Sequence, residues 1–203
     1  MALSAWKPTD RKVPSPSNRG ESNTSVIHTA VGRALSQWEH FESGLARFFQ
    51  LLCETRSFAA CRAYGTVESS YAKMVFLREA MEVFIARREP FDPQYQADMR
   101  ALFTAYQVAQ QYRNNIAHGM AVAFFLSDGS HSGYFLCPPS HATKKVEKLD
   151  AREIYLLGAS YWYNAEDIDH YGARFAEMLG ETMRLIQEIN TKYAVLKPSE
   201  LHP

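Results

Sequence analysis

Only three cysteines, Cys53, Cys61 and Cys137, occur in 203 residues, and no two form a CxxC pair. An odd, scattered set excludes a disulfide framework and reads as free thiols in a reducing compartment. No apolar run approaches the roughly 20 residues needed to cross a bilayer, which excludes a spanning helix and a membrane partner. The opening stretch MALSAWKPTDRKVPSPSNRG lacks the continuous apolar segment of a secretory signal, so we expect a cytoplasmic protein. Charge of one sign is not in excess either: 22 Lys and Arg balance 22 Asp and Glu. That balance argues against non-specific coating of nucleic acid but leaves room for a local basic groove. With 10 Gly, 9 Pro, 46% hydrophobic and 22% charged residues, wholesale disorder is excluded, and the length suits one domain with a small insertion.

The organisation follows from periodicity. Residues 1–22 are rich in Ser, Pro, Lys, Arg and Asn. They bury too little to offset their ordering entropy, which predicts a disordered basic tail carrying Lys7, Arg11, Lys12 and Arg19. Ile27, Val31, Leu35, Trp38, Phe41, Leu45, Phe48 and Leu52 then recur at steps of three or four, one face of a long amphipathic helix with N-cap candidates in Ser22–Ser25. A break spans Arg56–Gly65. The next pattern, Tyr71, Met74, Arg78, Met81 and Phe84/Ile85, stops before the Pro90 and Pro93 turn. A third helix carries Tyr95, Met99, Leu102, Tyr106, Ala109, Arg113 and Ile116, with Gly119 as its expected C-cap.

Beyond Gly119 the pattern changes. Met120–Leu126 and Tyr134–Cys137 predict two strands joined by a Ser/Gly-rich turn, and Glu153–Tyr163 a third. Asn164 then caps a final helix whose apolar face runs from Ile168 to Tyr193. Amphipathic helices must hide their stripes against one another. The expectation is therefore a mainly α protein: a four-to-five-helix bundle in one domain over 23–196, with a β-rich insertion at 120–163 before the last helix.

One segment carries chemistry, Tyr112-Arg113-Asn114-Asn115-Ile116-Ala117-His118-Gly119. Residues four apart on a helix differ by about 40°, so Asn114 shares a face with His118. Arg113 lies about 140° around from His118 but has a long reach. Cation, amide and titratable imidazole thus meet at one helix end. An imidazole exchanges protons near neutrality, and a guanidinium offers a planar fork of donors to phosphate oxygens.

The string RNNIAHG resembles the signature of the HEPN superfamily, in which Arg, a polar residue (often Asn), a few variable residues and then His lie near the end of a bundle helix. The matching residues are Arg113, Asn114 and His118, and the likeness covers the helical parts, about 23–119 and 164–194. The resemblance implies a homodimeric, metal-independent endoribonuclease, such as a toxin or defence RNase, without a cofactor. It implies a composite cleft, and a cognate antitoxin or other partner protein where the chain is a toxin. His118 would serve as general base or acid in attack of a ribose 2′-hydroxyl on its phosphate. Arg113 would hold the phosphate, and Asn114 would orient the imidazole or bind a phosphate oxygen.

The competing function is a non-catalytic dimeric HEPN-like interaction module, which the zero net charge favours. The competing reading of the residues is structural: Arg113 paired with Glu42, and His118 capping its helix. Cys137 and His141 lack further ligands, so no metal site is expected. His28 and His40 are expected on or beside the interior face of the first helix, and Arg87-Arg88 at a solvated helix end. Tyr161-Trp162-Tyr163 is read as a strand packed on a helix rather than a base-stacking platform.

Overall fold

The computed structural model describes residues 19–125, 129–139 and 161–195. The described residues are mainly helical, with a small antiparallel sheet before the last helix, in the order α1 (Thr24–Leu52), α2 (Ala59–Gly65), α3 (Ser70–Ala86), α4 (Pro93–His118), β1 (Met120–Phe125), β2 (His131–Cys137) and α5 (Ala165–Tyr193). None of these helices is long and apolar enough to cross a membrane. The expected tail, apart from Arg19 to Ser22, lies outside the described residues, as do Leu126, His141 and the stretch 153–160 of the expected third strand.

Each helix start has a local cause. Asn23 caps α1, its Oδ1 accepting from Ser25 N at 3.0 Å and Val26 N at 3.3 Å. Ser69 caps α3 by accepting from Ala72 N. Asp92 accepts from Gln94 N at 2.8 Å, and Pro93 occupies the first position of α4, where no N–H is needed. At α5, Asp167 N donates to Asn164 Oδ1 at 2.8 Å while Asn164 N donates to Asp167 Oδ2 at 3.2 Å, a reciprocal capping box. The short α2 falls in the expected break. Its seven residues bury only Cys61 and Tyr64, too few to print a periodic signal.

The contacts divide the chain into two compact units. The first comprises Trp38–Gln110 and the chain from Phe175 onward. Its core gathers Phe41, Leu45, Phe48, Met74, Leu77, Phe84, Met99, Leu102 and Phe103, and Trp38 stacks on Tyr106 at 5.4 Å. Within that core Glu42 is only 9% exposed. Its carboxylate accepts from Lys73 Nζ at 2.8 Å and from the Tyr106 hydroxyl at 2.8 Å, so the expected pairing with Arg113 is replaced by this one. Lys73 reaches the site from α3, a helix the sequence pattern did not connect to Glu42. Arg88 also departs from expectation: it packs over the Phe84 ring at 3.9 Å and pairs with Glu54, while Arg87 stays exposed. His28 and His40 face solvent, because Ile27, Ala30, Ala34, Trp38 and Phe41 claim the interior face of α1.

The second unit comprises, among the described residues, 19–37 and those of Gln111–Arg174. Here Gly172 lets α5 approach α1, since a Cβ would stand 3.2 Å from Ala34 Cα, and Arg33 forks onto Asp169 beside it. β1 and β2 pair antiparallel from Met120↔Cys137 to Phe125↔His131, with a bulge between Phe124 and Phe125. β2 begins at His131 rather than the expected Tyr134. Gly133 accommodates this with φ of 111° and a close approach to Gly20, whose N–H donates to Ser132 O at 2.8 Å. Glu21 and Tyr134 exchange backbone hydrogen bonds at 2.9 Å, so the last residues assigned to the tail are tied into the sheet. Tyr163 exchanges two more with Leu136. Phe124, Phe135, Cys137 and Trp162 fill the sheet's own small core.

Replacing Glu42 by Ala strands the Lys73 ammonium, which is 17% exposed. The expected cost is about 3–5 kcal/mol, whereas the double change Glu42→Leu/Lys73→Met recovers most of it. Urea unfolding of the three variants checks both statements.

Candidate functional site

The last two turns of α4 separate into an inward and an outward face. Tyr112 is buried and stacks on Tyr171 of α5 at 4.4 Å between ring centroids, and Ile116 is 1% exposed. Each such burial contributes about 1.5–3 kcal/mol, which sets the rotation of the helix end. Asn115 follows Tyr112 by three residues and turns the same way. Its Nδ2 donates to the Tyr163 hydroxyl at 3.2 Å, and its carbonyl oxygen accepts from the Tyr161 hydroxyl at 2.8 Å. Tyr161 and Tyr163 stack on each other at 4.7 Å, and Tyr163 also meets Tyr171 at 5.2 Å. Burial raises the ionisation of both hydroxyls well above the ordinary tyrosine range, so they stay neutral donors and acceptors.

With Tyr112, Asn115 and Ile116 committed inward, Asn114 and His118 are left exposed and Arg113 half-buried. Arg113 Nη1 donates to Asn114 Oδ1 at 3.2 Å. Asn114 Oδ1 thus accepts one hydrogen bond from the guanidinium, on an exposed side chain. The arrangement thus brings Arg113 and Asn114 together. It does not bond Asn114 to the imidazole, as no hydrogen bond to His118 occurs among the described residues. His118 is the last residue of α4, one turn beyond Asn114.

Gly119 does not close the helix through a left-handed conformation, as expected; its φ is not positive. It is required by proximity. A Cβ at Gly119 would stand 2.6 Å from Leu136 Cγ and 2.9 Å from the Asn115 carbonyl oxygen. The glycine therefore lets the chain pass from α4 directly into β1, with β2 packed against the turn.

The supporting set of Asn115, Tyr161 and Tyr163 escaped the sequence reading as part of the site. The inward phase of Asn115, three residues after Tyr112, was the available signal. The reading of Tyr161-Trp162-Tyr163 as structural agrees with their burial and with the backbone pairing of Tyr163. Burial pushes the Cys137 thiol up to about 11, so it is protonated and a poor nucleophile at neutral pH. No group of three His, Cys, Asp or Glu side chains spaced to hold a metal occurs among the described residues.

Comparison with protein-family models, with curated proteins and with solved structures finds no match to this chain.

Two substitutions test the scaffold. Gly119→Ala forces Leu136 or the turn to move and is expected to cost about 1–3 kcal/mol in thermal unfolding. Tyr161→Phe removes one hydrogen bond from the Asn115 carbonyl and is expected to cost about 1 kcal/mol, leaving the sheet intact by circular dichroism.

Proposed function

We propose that the chain is an endoribonuclease of HEPN type, acting in the cytoplasm, whose reactive groups are Arg113, Asn114 and His118. The single observation that supports this reading is the solvent-facing set at the end of α4: an amide and an imidazole exposed one turn apart, with a guanidinium hydrogen-bonded to the amide. The cytoplasmic assignment rests on the three free thiols.

In the proposed reaction, His118 accepts the proton of a ribose 2′-hydroxyl as that oxygen attacks the adjacent phosphorus. The bond from phosphorus to the 5′-oxygen breaks, and the leaving oxygen takes a proton from an imidazolium. The products are a 2′,3′-cyclic phosphate and a 5′-hydroxyl. In a homodimer, His118 of the partner subunit supplies that second imidazole, so acid and base come from different chains. Arg113 stabilises the charge gathering on the non-bridging oxygens. Asn114 donates Nδ2–H to a phosphate oxygen.

The competing proposal, a non-catalytic interaction module, draws on the zero net charge of the chain. One experiment separates the two. His118→Ala is expected to lower cleavage of RNA by about 10²–10⁴-fold. Because His118 is exposed, its stability should stay within about 0.5 kcal/mol of the parent. Substrates carrying 2′-deoxyribose at the scissile position should remain intact, and EDTA should leave the rate unchanged. Cleavage that survives His118→Ala, or strong inhibition by EDTA, overturns the proposed chemistry. A parent chain that cuts neither structured nor unstructured RNA favours the interaction module.

A further inference from the structure

The outer surface of α3 mixes exposed apolar side chains with Arg78, Glu79 and Glu82. Met74, Leu77, Met81 and Phe84 are buried. On the other side Tyr71 is 76% exposed, Val83 52%, Phe76 48% and Val75 38%. Several large apolar side chains left exposed together on one helix mark an interaction surface. Of the eight large hydrophobic side chains exposed among the described residues, these four and Phe58 fall within the stretch 58–83. The remaining three are dispersed over β1 and α5.

At 100° per residue, the outer surface of α3 has two shoulders. Tyr71, Val75, Arg78 and Glu82 form one, Phe76 and Val83 the other, with Glu79 between them. We propose that this face packs antiparallel against α3 of a second copy of the chain, about a two-fold axis near residues 79 and 80.

Two arguments select a second copy. The first is self-complementarity. A two-fold contact sets each shoulder against its own reversed image. In this register Phe76 meets Val83 of the partner subunit, and Arg78 meets Glu82 of the partner subunit. Symmetry makes each contact twice. Among the described residues Glu82 pairs with Arg100 at 3.8 Å, with both side chains more than half exposed, a loose pair that leaves the carboxylate open to a second cation. The second argument is area. The four exposed α3 side chains offer roughly 350 Å² of apolar surface. That supplies most of the apolar share of an interface burying about 800 Å² per partner. Glu79 falls at the axis beside Glu79 of the partner subunit, a like-charge contact that favours a reversible dimer over an obligate one.

The contact is carried by α3 alone and stands independently of the chemistry assigned to His118. Analytical ultracentrifugation of the full chain tests it. The parent should dimerise with rising concentration, and Phe76→Glu should weaken the dimer by at least about thirtyfold. Val83→Arg, on the same shoulder, repeats the measurement without disturbing the contact of Phe76 with Phe49. Arg78→Glu should weaken association about tenfold, and Arg78→Glu combined with Glu82→Arg should restore it to within about threefold, because the swap preserves opposite charges only in the antiparallel register. A parent that stays monomeric to its solubility limit overturns the proposal. So does a dimer indifferent to both Phe76→Glu and Val83→Arg, or a charge swap that folds but fails to restore association. The sedimentation result stands whatever a cleavage assay returns.

Discussion

The candidate site depends on how the end of α4 is rotated, and that rotation is held from one side. Tyr112 stacks on Tyr171, Ile116 is buried, and Asn115 is engaged by Tyr161 and Tyr163. These contacts consume one face of two helical turns. What faces outward is therefore the opposite side of those turns, with Asn114 and His118 exposed and Arg113 at the border. Removing the tyrosine cluster would leave the same residues in the helix but no reason for this rotation. Gly119 completes the constraint, because any side chain there would collide with Leu136 and with the carbonyl of Asn115.

Polar groups are handled differently in the two compact units. In the first, Glu42 carries a charge into an aromatic core and is matched there by Lys73 and Tyr106. A buried pair of this kind is weak evidence for added stability, since its desolvation cost is large, but either partner alone is strongly unfavourable. In the second, Asp167 is buried in the α5 capping box, and the groups around Asn115 are tyrosine hydroxyls and an asparagine amide. The site beside them thus has a rigid, uncharged support. The guanidinium of Arg113 is hydrogen-bonded to Asn114. Electrostatic preorganisation of this sort is what a developing phosphate charge requires.

Much of the helical architecture was legible in advance. Steps of three and four along Ile27–Leu52 and Ile168–Tyr193 follow from the need to bury one stripe, and the structure has α1 and α5 over those residues. Asn164, Pro93 and the acids of the α5 first turn mark helix starts for reasons of backbone hydrogen bonding alone. The legible part ends where partners are distant in sequence. Glu42 was visible as a polar residue on an apolar face, but its partner Lys73 lies 31 positions away on a helix whose own pattern does not point to it. His28 and His40 sit near the margin of the α1 stripe, where one helical step decides between core and solvent. Gly119 was recognised as the residue that follows the end of α4, but only β2, folded back against the turn, makes a side chain there impossible.

By itself, the sequence determined the four long helices, the Asn164 cap, the strand-turn-strand after residue 119 and the placing of Arg113, Asn114 and His118 near one helix end, because each of these depends on neighbours within a few residues. Tertiary structure decided which way that cluster faces and which face of α3 is left without cover. Those outcomes turn on contacts between residues tens of positions apart, and local periodicity carries no record of them.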